Sequence, residues 1–196
     1  MTLLKRHLAP IEKGVWDFID EEARDVLKQK LNGRMLVDTL GPKGRSFAAY
    51  NTGRNLDLDL GDGEAKYSLR NVLPLLEVEV PFSLSLDEIE SYLRGAKDAD
   101  IDNLVEASKK IAKIENNAIY YGIEEAAIKG LVDESDHVRI NINDDTGLLT
   151  PLTSAIQAFK LESVEGPYNF VVGPYLYGLL HKLDEKGYPL KRKIKD

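Results

Sequence analysis

From about Gly44 to Phe82 the residues alternate with a period of two, and this run constrains the chain more than any other feature. Leu56, Leu58 and Leu60 alternate with Asp57 and Asp59. Gly61-Asp62-Gly63 offers a turn, and Ala65, Tyr67 and Leu69 alternate with polar partners on the way back. Successive side chains of a strand point to opposite faces, so the pattern predicts a long hairpin with one dry face and one wet face. An isolated two-stranded ribbon is marginal in water, and this one carries too few large apolar residues to build a core alone. It therefore needs a neighbour, which another subunit can supply. A second alternating run, Leu76, Val78, Val80 and Phe82, is punctuated by Glu77, Glu79 and Pro81.

Helical periodicity surrounds this extended region. Trp16, Ile19, Ala23, Val26, Leu27 and Leu31 recur at spacings of three and four, which predicts a helix from about Glu12 to Leu31 between Pro10 and Gly33. The arm before it, Thr2 to Pro10, has no period of its own. Ser85 to Arg94 reads as a short helix, followed by a polar linker from Gly95 to Asp102. The strongest helical signal comes next: Leu104, Ala107, Ile111, Ile114, Ala118 and Tyr121 form one stripe while Glu106, Lys109, Lys110 and Lys113 face away. It predicts a spine helix of about 35 Å from Asn103 to Ala127, with Gly122 tolerated and Gly130 as the stop. Beyond a loop-rich stretch to Thr150, we expect a helix at Pro151–Leu161, a strand at Tyr168–Val172, a helix at Tyr175–Leu183, and a loop from Asp184 to Leu190. The fold class is α+β.

Charge narrows the list of partners. Residues 46–180 hold eleven Lys and Arg against 23 Asp and Glu, a net of −12, within a chain of net charge −7. A duplex-binding protein needs a dense basic face to displace counterions, so nucleic acid is not an expected partner. No apolar run approaches the roughly 18 residues of a membrane span, and Met1 to Ala9 is too short and polar for a signal peptide. The expected compartment is the cytoplasm.

Site chemistry is sparse. The chain has no Cys and three His, namely His7, His137 and His181, in separate segments. Thiolate metal sites and cysteine nucleophiles are therefore excluded, and a zinc site would need carboxylates for most of its ligands. The string Asp57 to Ser68 fails the calcium-loop pattern, because Asp62 stands where glycine is required and Ser68 where glutamate is. Gly41-Pro42-Lys43-Gly44 is not a phosphate loop, and no Gly-x-Ser-x-Gly elbow occurs. The pairs Asp98/Asp100/Asp102 and Asp144/Asp145 lie in polar stretches that would not raise a carboxyl pKa. Nothing here argues for an enzyme. An arm, a projecting hairpin, a spine helix and a compact terminal region suit a subunit that interlocks with its own copies.

The chain carries, in order, Leu4-Lys5-Arg6, Ala9-Pro10, the Trp16 helix, Gly33-Arg34-x-x-Val37-Asp38, Gly41-Pro42-x-Gly44, Leu69-Arg70, Leu73-Pro74-Leu75, Phe82-x-Leu84, Arg94-Gly95, Gly130-Leu131, Glu165-Gly166-Pro167-Tyr168 and Tyr188-Pro189-Leu190. Taken in that order, this set resembles the encapsulins, bacterial and archaeal nanocompartment shell proteins. The resemblance implies the Hong Kong 97-type phage major capsid fold. Residues 1–44 would be the N-terminal arm and interior helix, 45–71 the extended hairpin loop, 72–130 the peripheral domain with its spine helix, and 131–196 the axial domain.

It also implies a function: copies closing into an icosahedral shell around a cargo enzyme, typically a dye-decolourising peroxidase or a ferritin-like iron-oxidising protein, recruited by a C-terminal targeting peptide. Carried over by resemblance, Arg34 and Asp38 would contribute to the peptide-docking groove, with Leu31 and Val37 taking aliphatic side chains. The structural alternative is a local Arg34–Asp38 ion pair. Asp184, Glu185, Lys186, Gly187 and Tyr188 would belong to the fivefold pore loop, whose mixed charges predict no strong charge filter. Some members hold a flavin against a Trp where this chain has Asp87, so no flavin is expected. Encapsulins continue past the position of Asp196 with strands that return to the peripheral domain, which implies a truncated or split chain with a complementary C-terminal fragment. A lone fragment would expose apolar surface on its spine helix and open sheet edge. The competing readings are a phage or prophage capsid protein and, from a different class, a small soluble ligand-binding protein or enzyme.

Overall fold

A computed structural model describes residues 6–59, 61, 63, 65–135, 147–181 and 191–192. The chain divides into two compact units, Met1–Asp136 and His137–Asp196.

In the first unit the apolar stripes assemble a small helical core. Helix α1 spans Lys13–Lys30 and places Lys28 and Lys30 in its last turn, where cations favour the helix dipole. Helix α2 spans Leu86–Leu93. Ser85 caps it, its hydroxyl accepting the Asp87 N–H at 3.2 Å, and Asp87 and Glu88 occupy the first turn. Helix α3 spans Asp102–Tyr121. The core is Val15, Ile19, Ile89 and Leu104, surrounded by Ile11, Trp16, Ala23, Leu84, Tyr92 and Ile101. Each such buried aliphatic contributes roughly 1.5–3 kcal/mol. Phe18 and Tyr92 stack at 4.2 Å across α1 and α2. Ala107, Ser108 and Ala112 are buried on α3, and these small side chains let α1 pack close along it. The Ser108 hydroxyl is satisfied by the Leu104 carbonyl at 2.8 Å.

Two expectations for these helices need correction. The most buried side chain of α1 is Val15, 1% exposed, which the predicted stripe omitted. Helix α3 stops at Tyr121 and not at Ala127, leaving Tyr121 exposed. The reason is a backbone crossing. Gly122 takes φ +73°, after which Ile123 and Ile128 pair through N–H···O bonds of 2.8 and 3.0 Å around a 3-10 turn at Glu124–Ala126. The returning chain then caps α3: Leu131 N–H donates to the Ile119 carbonyl and Val132 N–H to the Tyr120 carbonyl, each at 2.9 Å. A Cβ on Gly122 would overlap the Ile128 carbonyl oxygen, and one on Gly130 would lie 2.6 Å from Tyr121 Cα. Only glycine allows this crossing.

The hairpin forms where the alternation predicts it. Strands β1 (Ala49–Leu58) and β2 (Tyr67–Pro74) pair antiparallel, with Leu58 opposite Tyr67, Leu56 opposite Leu69 and Asn51 opposite Val72. Between Asn51 and Asn55 the register shifts at a bulge. There Gly53 takes φ +73°, its N–H donates to Asn51 Oδ1 at 2.9 Å, and the Thr52 hydroxyl donates to the Asn71 carbonyl at 2.7 Å. The second alternating run, Leu76 to Phe82, stays extended but joins no ladder among the described residues, and Leu76, Val78 and Phe82 are exposed. Pro81 withholds a donor, and no described strand lies beside the run to pair with it.

In the second unit, α4 spans Leu149–Leu161 and α5 spans Pro174–Leu180. Phe159 stacks on Tyr168 at 5.0 Å, and the Tyr168 hydroxyl donates to the Val164 carbonyl at 2.7 Å. The strand expected at Tyr168–Val172 is not formed. This stretch is extended between Pro167 and Pro174, and it too lacks a partner strand among the described residues. No helix of the described residues is long and apolar enough to cross a membrane.

Candidate functional site

The apolar stripe of α1 has two fates. Its N-terminal half is buried against α2 and α3, whereas its C-terminal half opens into a groove of about 540 Å³. Ala23, Leu27 and Leu31, four residues apart and so on one face, form the groove's apolar strip. Asp20, Arg24, Lys28 and Arg34 rim it.

Two charge-assisted contacts frame this groove. Near one end, the arm is tied to α1: Arg6 donates to both Asp20 carboxylate oxygens at 2.7 and 2.6 Å, and its guanidinium lies 4.7 Å from the Trp16 ring centroid. The hydrogen bond from Arg6 holds the Asp20 carboxyl below its ordinary pKa, and the same bond raises Arg6. The Trp16 indole N–H is buried with no hydrogen-bond acceptor. At the other end, Arg34 makes a two-pronged pair with Glu115 of α3, Nε to Oε1 at 2.5 Å and Nη2 to Oε2 at 2.8 Å, and this bond raises the guanidinium's pKa. Because Arg34 is 53% exposed, the pair contributes no more than about 1 kcal/mol. Its value is geometric, since a bidentate fork fixes orientation.

Of the four residues expected to share a docking site, the structure brings Leu31 and Arg34 together. Val37 lines a separate hollow of about 280 Å³ with Ala118, Ile119, Ile128 and Leu131, and Asp38 is exposed beside Val37. The local Arg34–Asp38 pair is not formed, because Glu115 occupies the Arg34 fork. Asp87 is exposed in the first turn of α2, where it presents a carboxylate and no ring to a flavin. Asp184, Glu185, Lys186, Gly187 and Tyr188 lie outside the described residues. Sequence reasoning missed the roles of Asp20 and Glu115. Arg6 carried a signal in the Leu4-Lys5-Arg6 string, but nothing local marks Glu115 as the partner of a residue 81 positions away.

The hairpin presents a second surface. Register places Tyr50, Leu56, Leu58, Tyr67, Leu69 and Leu73 on one face and Asn55, Asp57, Ser68 and Arg70 on the other. Among the described residues no helix covers the apolar face: Leu56 is 50% and Leu69 57% exposed, although they sit opposite each other in the ladder. A contiguous apolar face of this kind marks a protein interaction surface.

The model of the family described as "Encapsulating protein for peroxidase" matches residues 1–196. The chain is 35% identical to the Type 1 encapsulin shell protein of Mycolicibacterium paratuberculosis, over 99% of this chain and 74% of the relative. It is 32% identical to the Type 1 encapsulin shell protein of Rhodococcus erythropolis, over 100% of this chain and 74% of that one. To that of Brevibacterium linens it is 30% identical, over 99% of this chain and 73% of the relative. Matched along its whole length, the chain belongs to the encapsulin shell-protein family.

Proposed function

We propose that this protein is a shell subunit whose hairpin closes an encapsulin nanocompartment by laying its apolar face on a neighbouring copy. The observation that carries the reading is the pair Leu56 and Leu69, cross-strand neighbours both half exposed among the described residues. Burying that face is what makes the hairpin stable. In this reading the fold is of the Hong Kong 97 type, the shell is icosahedral and it works in the cytoplasm. The extended run Leu76–Phe82 is where a further strand of the peripheral domain pairs.

Cargo enters through the α1 groove. A targeting peptide would lay aliphatic side chains on Ala23, Leu27 and Leu31, with Arg34 fixing its path by hydrogen bonds to the peptide backbone; Val37 and Asp38 are not part of this groove. Small apolar grooves with a few polar fixers suit such segments. The family description names peroxidase, and we infer a dye-decolourising peroxidase, or a ferritin-like protein, as cargo. No flavin is assigned at Asp87.

Negative-stain microscopy of shells co-expressed with a fluorescent protein carrying the C-terminal tail of the host's dye-decolourising peroxidase tests both parts. Closed, filled shells are expected from the natural sequence, and closed, empty shells from Arg34→Ala. A discrete monomer or dimer would refute the shell reading, and undiminished filling of Arg34→Ala would refute the groove.

A further inference from the structure

Leu31 and Arg34 reach the groove from a single turn, Lys30–Arg34, at the end of α1, where helix carbonyls have lost their intrahelical partners. One side chain of α3 handles both ends of that turn. Asn116 Nδ2 donates to the Lys30 carbonyl at 2.7 Å, and Asn116 Oδ1 accepts the Gly33 N–H at 3.0 Å. The turn lies flush on α3. A Cβ on Gly33 would stand 3.0 Å from Ile119 Cδ1 and 3.1 Å from Asn116 Oδ1, so a side chain there would require those two side chains to shift. The Tyr120 hydroxyl adds a bond to Asn32 Oδ1 at 3.2 Å, and Glu115 holds Arg34. Asn116 is half-buried and does not itself line the groove.

We propose that Asn116 is a positioning residue for cargo docking: its amide sets the Lys30–Arg34 turn so that Leu31 and Arg34 face one groove. This rests on the reading of that groove as the docking site. A side-chain amide carries its donor and its acceptor on two separate atoms, so it can serve the Lys30 carbonyl and the Gly33 N–H at once. Aspartate keeps the acceptor for Gly33 and loses the donor to Lys30, and leucine loses both. With the amide gone the Gly33 N–H loses its acceptor and the Lys30 carbonyl keeps only the Asn32 N–H, so the turn is held less closely and the groove changes shape while keeping every lining residue.

The test loads assembled shells with the fluorescent protein bearing the peroxidase tail and counts fluorophores per shell. Asn116→Leu is expected to load about tenfold less or worse, as for one or two lost hydrogen bonds, in shells of unchanged size. Asn116→Asp should fall between. Hydrogen exchange at the Gly33 amide should quicken in Asn116→Leu and stay slow in Asn116→Asp. Leu104→Ala, in the core at the other end of the same helix, serves as the stability control: it lowers Tm and loads normally. Normal loading by Asn116→Leu, or equal losses in Leu104→Ala, overturns the proposal. Should Asn116→Leu fail to assemble, Asn116→Asp decides: loading equal to the natural sequence overturns the proposal and reduced loading supports it. Full loading by Arg34→Ala overturns the docking reading and this inference with it. Empty Arg34→Ala shells beside full Asn116→Leu shells overturn this inference alone.

Discussion

The helical core and the hairpin of the first unit are built from similar apolar residues at regular spacing, yet they end in opposite states. Leu104 on α3 is 3% exposed, whereas Leu56 on β1 is 50% exposed. The helical stripes bury one another because α1, α2 and α3 pack together around Val15, Ile19, Ile89 and Leu104. The hairpin's apolar face meets no such partner among the described residues of its unit. On the reading proposed above, the core sets the stability of one subunit and the hairpin joins it to its copies.

That division can be broken from the core side first. Leu104→Ala should cost about 2–5 kcal/mol by cavity formation, read as a lower midpoint in chemical denaturation. An unchanged midpoint would mean that Leu104 is not packed as described. Gly122→Ala comes next. It forces a side chain into φ +73° and onto the Ile128 carbonyl oxygen, at a cost of about 1–3 kcal/mol. Restoration of the full midpoint by relaxation alone would show that the crossing with Gly130 is not tight.

A smaller effect tests the arm. Asp20 has its pKa lowered by Arg6, so the pair's contribution is present above the unfolded carboxyl value near 3.8 and is lost as pH falls through the lower folded value. Both groups are partly exposed, and the contribution is under about 1 kcal/mol. The chain has one Trp, and Arg6 lies over its ring. Trp16 emission should therefore change with a midpoint below pH 3.8 and lose that transition in Asp20→Asn. Emission that titrates identically in both proteins would place the arm elsewhere.

Legibility in the sequence followed the range of the forces involved. The bounds of α1 and α2, and the presence of a hairpin around Gly61-Asp62-Gly63, depend on local period and capping, and these could be read from the residues; its register could not. Gly122 could not, because whether a glycine interrupts a helix depends on what backbone crosses it. The strand expected at Tyr168–Val172 fails for a related reason: a strand exists only with a partner, and alternation does not reveal whether one is present. In the groove, the Gly33-Arg34 string located the turn through family resemblance. Glu115 and Asn116, which hold it, lie 81 and 83 positions from their partners and carry no local signal. Val37 was grouped with Leu31 by proximity in sequence, but the 3-10 turn at Gly33–Met35 sends it to another hollow.

The most direct test of the account removes the apolar face of the hairpin while preserving its ladder. Leu56→Lys with Leu69→Glu keeps a favourable cross-strand pair in place of two exposed leucines. Sedimentation velocity should show closed shells for the natural sequence and a slow, folded subunit of unchanged circular dichroism for the double variant. Shells of normal size and yield from the double variant would contradict the claim that this face joins one copy to the next.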